Sequence, residues 1–358
     1  MGAEKQRGGH TLAEIRSQAG SWEDTIQQID AQANELRDMV GGVEEVVFAG
    51  CGSGLNISYA IAPFFQALVG KSCRAIHSSD LAINSRYFLN RGRKTLAVVY
   101  SRSGDTTESI MAVREARSQG CLTLSVVTFA NSTMAREASC AIVLGGATEK
   151  SVTTTRSFTS MVLSGYYLAA VCAQNREAQK LLVGLPEMAR KRMAAYEELG
   201  KRIGTIESIQ KYAFLGSGTL YGLAREAQLK VKEMVLLPSD SYVTLDFQHG
   251  PMSNVDERML VTILESQAGR AFDLEVLSNM TALSGKTLLL CDHNDSARPD
   301  YLLETNSGLG DGYRDILYMP PLQFAAYFRA LSVGSDPDNP RNLSYYVQVG
   351  AKDRQGNG

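Results

Sequence analysis

Glu226, Lys230 and Glu233 fall at i, i+4 and i+7 of one apolar-polar run, a spacing that stacks three side chains on one stripe of a helix. A carboxylate beside Lys230 is expected to stay ionised, which suits a base, although burial would oppose that. The same stripe is also what a surface salt-bridge ladder looks like. Downstream, Asp246-Phe247-Gln248-His249-Gly250-Pro251 holds a histidine at a rigid Gly-Pro turn. A carboxylate and a histidine at one ligand would supply a base for C–H abstraction and an acid/base for ring opening.

Three polar segments could bind what that pair acts on. Gly50-Cys51-Gly52-Ser53-Gly54 lies between an apolar run and a helical one, where backbone N–H groups can point at an anion. Glycines there also serve simply to turn a strand into a helix. The third glycine and the downstream acid of a dinucleotide fingerprint are missing, and no GxxxxGK[ST] occurs, so nucleotides are disfavoured. The second segment, Ser101-Arg102-Ser103-Gly104-Asp105-Thr106-Thr107-Glu108-Ser109, offers five hydroxyls where a helix begins. Several such donors suit a phosphate monoester, whereas a helix cap by Ser103 or Asp105 would use only one. The third, Glu149-Lys150-Ser151-Val152-Thr153-Thr154-Thr155-Arg156, could line a polar sugar or serve as a solvated helix start.

The elements that must position these residues alternate. Residues 11–40 read as one amphipathic helix with Leu12, Ile15, Trp22, Ile26, Ile29 and Leu36 on its apolar face. Continuous apolar strands fit at 46–49, 73–77, 95–100, 122–128 and 140–144, with helices between them. After a charged helical connector, the pattern restarts at Tyr212-Ala213-Phe214-Leu215-Gly216-Ser217-Gly218, with a helix through 222–235. Strands then fit at 241–246, 259–265, 286–291 and 315–319. Such runs imply parallel sheets covered on both faces, and the two strand–Gly-x-Gly–helix openings suggest an internal duplication. The expected segments are 1–44 (helical), 45–175 (first α/β domain), 176–208 (connector), 209–335 (second α/β domain) and 336–358 (a tail closing over the site).

Composition bounds the function. A net charge of −2 with scattered Lys and Arg argues against nucleic acid. Six cysteines without a CxxC pair read as reduced, and four histidines make a zinc site improbable. The N-terminus has no apolar stretch fit for a signal peptide, and no run of about 18 apolar residues would span a membrane. A cytoplasmic address is expected, with no metal and no cofactor.

At these residues the sequence resembles tandem SIS-domain sugar-phosphate isomerases and deaminases. Across about residues 45–345 it is similar to the isomerase half of glucosamine-6-phosphate synthase. It looks closer to the branch of galactosamine-6-phosphate deaminase/isomerase and fructoselysine-6-phosphate deglycase, with Ser79-Asp80-Leu81 and Ser157-Phe158-Thr159-Ser160-Met161 supporting that placement. The resemblance implies an α/β fold of two tandem doubly wound, flavodoxin-like parallel-sheet domains. It implies a phosphate loop of Ser101, Arg102, Ser103 and Thr106, with Ser53 nearby. Gly52, Glu149, Val152, Thr154, Glu226, Ser344 and Tyr345 would line the sugar. Glu233 would shuttle a proton between C1 and C2, beside Lys230. His249 would open the ring, reaching in from the partner of a homodimer. One departure matters: in Pro340-Arg341-Asn342-Leu343-Ser344-Tyr345 a tyrosine replaces the family lysine, and a phenol cannot form a Schiff base. The implied activity is isomerisation or deamination of an amino- or N-substituted hexose 6-phosphate. The alternative is a non-catalytic sugar-phosphate sensor, which would not need both Glu233 and His249.

Overall fold

The computed structural model describes residues 7–349, so parts of the expected first and last segments (1–6 and 350–358) lie outside the described residues. Two five-stranded sheets carry the chain. The first is built from β1 (Glu45–Gly50), β2 (Ser72–His77), β3 (Thr95–Tyr100), β4 (Leu122–Val127) and β5 (Cys140–Val143), in the order β2-β1-β3-β4-β5. The second is built from β6 (Lys211–Leu215), β7 (Ser239–Tyr242), β8 (Met259–Leu264), β9 (Lys286–Cys291) and β10 (Tyr301–Glu304). Its order, β7-β6-β8-β9-β10, repeats the first, and every pairing in both sheets is parallel. The duplication expected from the two Gly-x-Gly openings is therefore a duplication of topology. The turns themselves match: Gly52 sits at φ 53, ψ −122 and Gly218 at φ 60, ψ −126, a region open to glycine.

Side chains alternate across each strand, so each sheet feeds two cores. Val46 and Phe48 of β1 pack in the main core with Trp22, Phe65 and Phe158, while Val47 and Ala49 face Leu81, Val113 and Met134. Both faces are buried by helices, which explains the near-continuous apolar strands.

Three expectations are corrected. Residues 11–40 form three helices, Gly9–Arg16, Gln18–Ala31 and Ala33–Gly41, rather than one. The apolar face nonetheless holds, with Ile15, Trp22, Ile29 and Leu36 fully buried. Residues 315–319 are not a strand. Asp315–Tyr318 is a 3₁₀ turn leading into the helix Met319–Ser332, whose first turn carries Pro320 and Pro321, residues that suit a helix start and not a central strand. The fifth strand is β10, a four-residue edge strand with only Leu303 in the core, too short to stand out. Similarly, 241–246 yields a strand at Ser239–Tyr242 and a 3₁₀ turn at Leu245–Gln248.

Two close approaches place the site. Gly50 pairs with Tyr100 across β1 and β3, so the glycine turn and the hydroxyl loop emerge side by side at the carboxyl ends of adjacent strands. The helices that follow the two glycine turns, Ser53–Val69 and Thr219–Lys230, cross at Gly222, where a Cβ would lie 2.4 Å from both Ala60 N and Asn56 O. Only glycine allows that contact, and it brings Glu226, one turn further on, against the first domain.

Candidate functional site

A cavity of about 230 Å³ opens where the two glycine-turn helices, the hydroxyl loop and the C-terminal tail meet. Its walls include Gly52, Ser53, Ser101, Arg102, Ser103, Thr106, Val152, Thr154, Glu233, Ser344 and Tyr345. Glu226, Lys230 and Glu149 lie behind that wall, and His249 lies elsewhere, exposed on the second domain.

The hydroxyl loop is not spent on capping. The N-cap of the helix Thr107–Ser118 is Thr106, without a side-chain cap bond. Asp105 instead accepts from Thr133 N at 2.9 Å, tying the loop to the next helix. Ser101 Oγ accepts from Gly104 N (3.2 Å) and donates to Thr106 Oγ1 (3.3 Å), while Ser103 Oγ accepts from Asp105 N (3.1 Å) and keeps its proton to donate. An oxyanion with several acceptor oxygens is the complement of such a loop.

Opposite lies the carboxylate stripe. Glu226 and Lys230 are fully buried, and the side chain of Glu233 is 22% exposed toward the cavity. The Lys230 ammonium reaches Glu233 Oε2 at 2.6 Å, Thr154 Oγ1 at 3.0 Å and Glu226 Oε1 at 3.1 Å. Burial alone would pull its pKa down, but the charges of Glu226 and Glu233 outweigh that and leave it above the ordinary lysine value. The stripe is thus a buried ion triad and not a surface ladder. Glu226 Oε1 also accepts from Ser53 Oγ (3.0 Å) and Thr154 Oγ1 (3.2 Å), and its Oε2 accepts from Asn56 Nδ2 (3.0 Å). Beyond Lys230 the helix widens into a π turn, Val231–Val235, closed by Leu236 N donating to Val231 O, with Leu236 at φ 65. Non-glycine residues avoid that region, and π turns with such backbone strain concentrate at functional sites.

Arg102 is committed elsewhere than to an open anion site. Its guanidinium donates to Glu149 Oε2 (3.2 Å), Ser151 O (3.3 Å), Val152 O (2.7 Å) and Tyr345 O (3.0 Å). The Tyr345 ring covers it at 3.9 Å, and the Tyr345 hydroxyl donates to Glu149 O at 3.1 Å. Burial pushes the Tyr345 phenol up, so it is a neutral donor at this position. Glu149 accepts further from Thr155 N and Oγ1 and from Ser157 N and Oγ. Arg102, Glu149 and Tyr345 together bolt the tail onto the first domain. Val347 O accepts from Thr107 N, fixing the tail's next residues over the helix start.

Sequence reading missed Asn56 and Glu14. Asn56 is a polar residue between Leu55 and Ile57 in a mostly apolar helix, a signal that was present. Glu14, on the first helix, accepts from Lys150 N and from Ser151, and its role depends on a tertiary contact that no local pattern announces.

Comparison with known proteins agrees with this architecture. The SIS domain pattern matches residues 43–171 and 205–307, and the chain belongs to the SIS domain family, with the domain present twice. Glutamine–fructose-6-phosphate aminotransferase (isomerizing) of Methanothermobacter thermautotrophicus is 26% identical over 353 residues, covering 96% of this chain and 58% of that protein. The enzyme of the same name from Pyrobaculum aerophilum is 29% identical, covering 94% of this chain and 57% of that one. The chain thus spans less than two thirds of the length of these relatives. Among solved structures, tagatose-6-phosphate ketose/aldose isomerase from Escherichia coli superposes with a TM-score of 0.85 at 24% identity, covering 93% of this chain and 95% of that one. Glucosamine-6-phosphate deaminase from Thermotoga maritima does so with a TM-score of 0.75 at 24% identity, covering 90% and 99%. These two likenesses establish the shared fold. Among the described residues, no helix is long and apolar enough to cross a membrane.

Proposed function

We propose that this chain is a sugar-phosphate isomerase/deaminase acting on an amino- or N-substituted hexose 6-phosphate. The observation that carries the reading is Glu233, a carboxylate with Lys230 on its Oε2, in the wall of a cavity that also presents the hydroxyls of Ser53, Ser101, Ser103, Thr106 and Thr154 among apolar side chains such as Ile57, Phe158 and Met161. The phosphate would dock on Ser101, Ser103 and Thr106, with Ser53 near by. Glu233 would shuttle a proton between C1 and C2 of the open-chain sugar, from C2 to C1 for an aldose and from C1 to C2 for a 1-amino ketose. The C1 imine formed from the 1-amino ketose then takes up water and releases the amine to leave an aldose phosphate. For a 2-amino aldose this gives an enolamine and then a C2 imine; water adds, ammonia leaves, and a ketose phosphate remains. For a simple aldose the same shuttle gives the ketose directly. The steps are proton transfers and, for the amino sugar, hydrolysis of an imine, with no net oxidation or reduction of the substrate, so no redox cofactor is required. The names of the relatives, an isomerizing aminotransferase, a ketose/aldose isomerase and a deaminase, fit that chemistry.

The test is incubation with glucosamine 6-phosphate, galactosamine 6-phosphate and a fructosamine 6-phosphate in deuterated water, followed by NMR. Deuterium entering at C1 or C2, or release of ammonia or amine, is the expected result. Saturable binding of all three without either would replace the enzyme by a sensor.

Ring opening would fall to His249. It is exposed and absent from the cavity of its own chain, so this role requires a second copy of the protein. Two inactive variants, Glu233→Gln and His249→Ala, are therefore expected to complement each other when co-expressed. In a mixed dimer one site carries both intact groups, so random pairing restores about a quarter of full activity. No recovery in a dimer shown to be mixed would mean that His249 does not act across the interface.

A further inference from the structure

We infer that Arg225 is a positioning residue for the Glu226–Lys230–Glu233 stripe, acting through the side-chain amide of Asn56. The inference rests on the reading of Glu233 as the base. Asn56 is 3% exposed and sits between the two helices where they cross at Gly222. Arg225 Nε donates to Asn56 Oδ1 at 3.0 Å, and Asn56 Nδ2 donates to Glu226 Oε2 at 3.0 Å. An amide has one accepting end and one donating end. Turned over, its oxygen would face the buried Glu226 carboxylate and its NH₂ would face the Arg225 N–H, so two bonds would become two repulsions. Arg225 and Glu226 therefore favour the same orientation of the amide, and Arg225 holds the end that the carboxylate does not touch.

Arg225 is itself held before it makes that bond. Its guanidinium carbon lies 5.0 Å from the Tyr59 ring centroid and 5.7 Å from that of Tyr221, and Nη1 contacts the Tyr221 hydroxyl at 3.4 Å. Downstream, Glu226 Oε2 has Asn56 as its partner, while Oε1 is shared by Ser53, Thr154 and Lys230. If the amide is free to turn, the carboxylate loses its fixed plane and Lys230 loses a fixed partner. Lys230 is the group that holds Glu233 Oε2. The chain Arg225–Asn56–Glu226–Lys230 thus fixes where the free oxygen of Glu233 points without touching substrate.

The experiment compares wild type, Arg225→Met and Arg225→Lys by the rate of deuterium exchange on the best of the three sugar phosphates. Arg225→Met is expected to lower kcat about tenfold with KM within about twofold, because small misplacements of a reacting group are felt in the chemical step. Arg225→Lys, which retains a donor for Asn56 Oδ1, is expected to recover part of that loss. A role confined to packing would show no such rescue. Wild type without exchange on any probe sinks the base reading, and the positioning role with it. An active wild type with an unchanged kcat in Arg225→Met, or an equal loss in Arg225→Lys, overturns the positioning role alone.

Discussion

Glu233→Gln is expected to lower deuterium exchange at C1 and C2 about 10³-fold, in the middle of the range for removing a positioned general base. Glutamine keeps the shape and can still accept from Lys230 through its amide oxygen, so the substituted side chain has little reason to leave the wall. What it lacks is basicity. The hydroxyl loop at 101–106 lies on the other domain's glycine-turn side of the cavity and does not touch Glu233, so phosphate binding should be preserved and KM should change by no more than about threefold. A loss confined to kcat is the signature of a group used in the proton transfer. If Glu233→Gln exchanged at a rate near that of wild type, the base would have to be sought elsewhere, and no other carboxylate lines the cavity among the described residues. Equal losses in kcat and binding would mean that the substitution had collapsed the wall, which a thermal melt would reveal.

Much of this site was legible because its parts follow local rules. The i, i+4, i+7 stripe needs only helical periodicity, and the glycine turns need only an abrupt end to an apolar run. What the spacing left open was burial: the same stripe would be a surface ladder if Gly222 did not admit the first domain's helix to within backbone contact. The hydroxyl loop was legible by its surplus of donors over what a cap consumes. Arg102 was harder. The resemblance placed it in the phosphate loop, and the structure ties its guanidinium to Glu149, three carbonyls and the Tyr345 ring, partners 47 to 243 residues away in sequence. The tyrosine that replaces the family lysine belongs to that same bolt. The misplaced fifth strand of the second sheet has a similar cause. Ile316-Leu317-Tyr318-Met319 is apolar because it is buried as a helix start, and apolarity alone does not distinguish a strand from a buried helical turn.

Lys230→Met is expected to destabilise the fold by about 3–5 kcal/mol, the cost of removing one partner from a buried ion pair. Methionine matches the length of the lysine stem, so packing is largely kept and the loss isolates the charge. Glu226 would retain Ser53, Thr154 and Asn56 as donors, but it would be a carboxylate with no exposure and no cation. The sign of the pH dependence follows from the lysine. Its pKa is raised in the folded state, so its contribution is fully present below the unfolded lysine value and is lost only as pH rises through the higher folded one. The gap between wild type and Lys230→Met should therefore stay level between about pH 6 and 9 and narrow only in stronger alkali. Adding Glu226→Gln should return about 2 kcal/mol, because a neutral amide can accept from Asn56 with its oxygen and donate to the Ser53 and Thr154 hydroxyls, which can turn to accept. Urea denaturation of wild type, both single variants and the double variant reads the coupling directly. If the two losses simply added, Glu226 and Lys230 would not be paired in solution, and the route by which Asn56 and Arg225 reach Glu233 would be broken at its middle link.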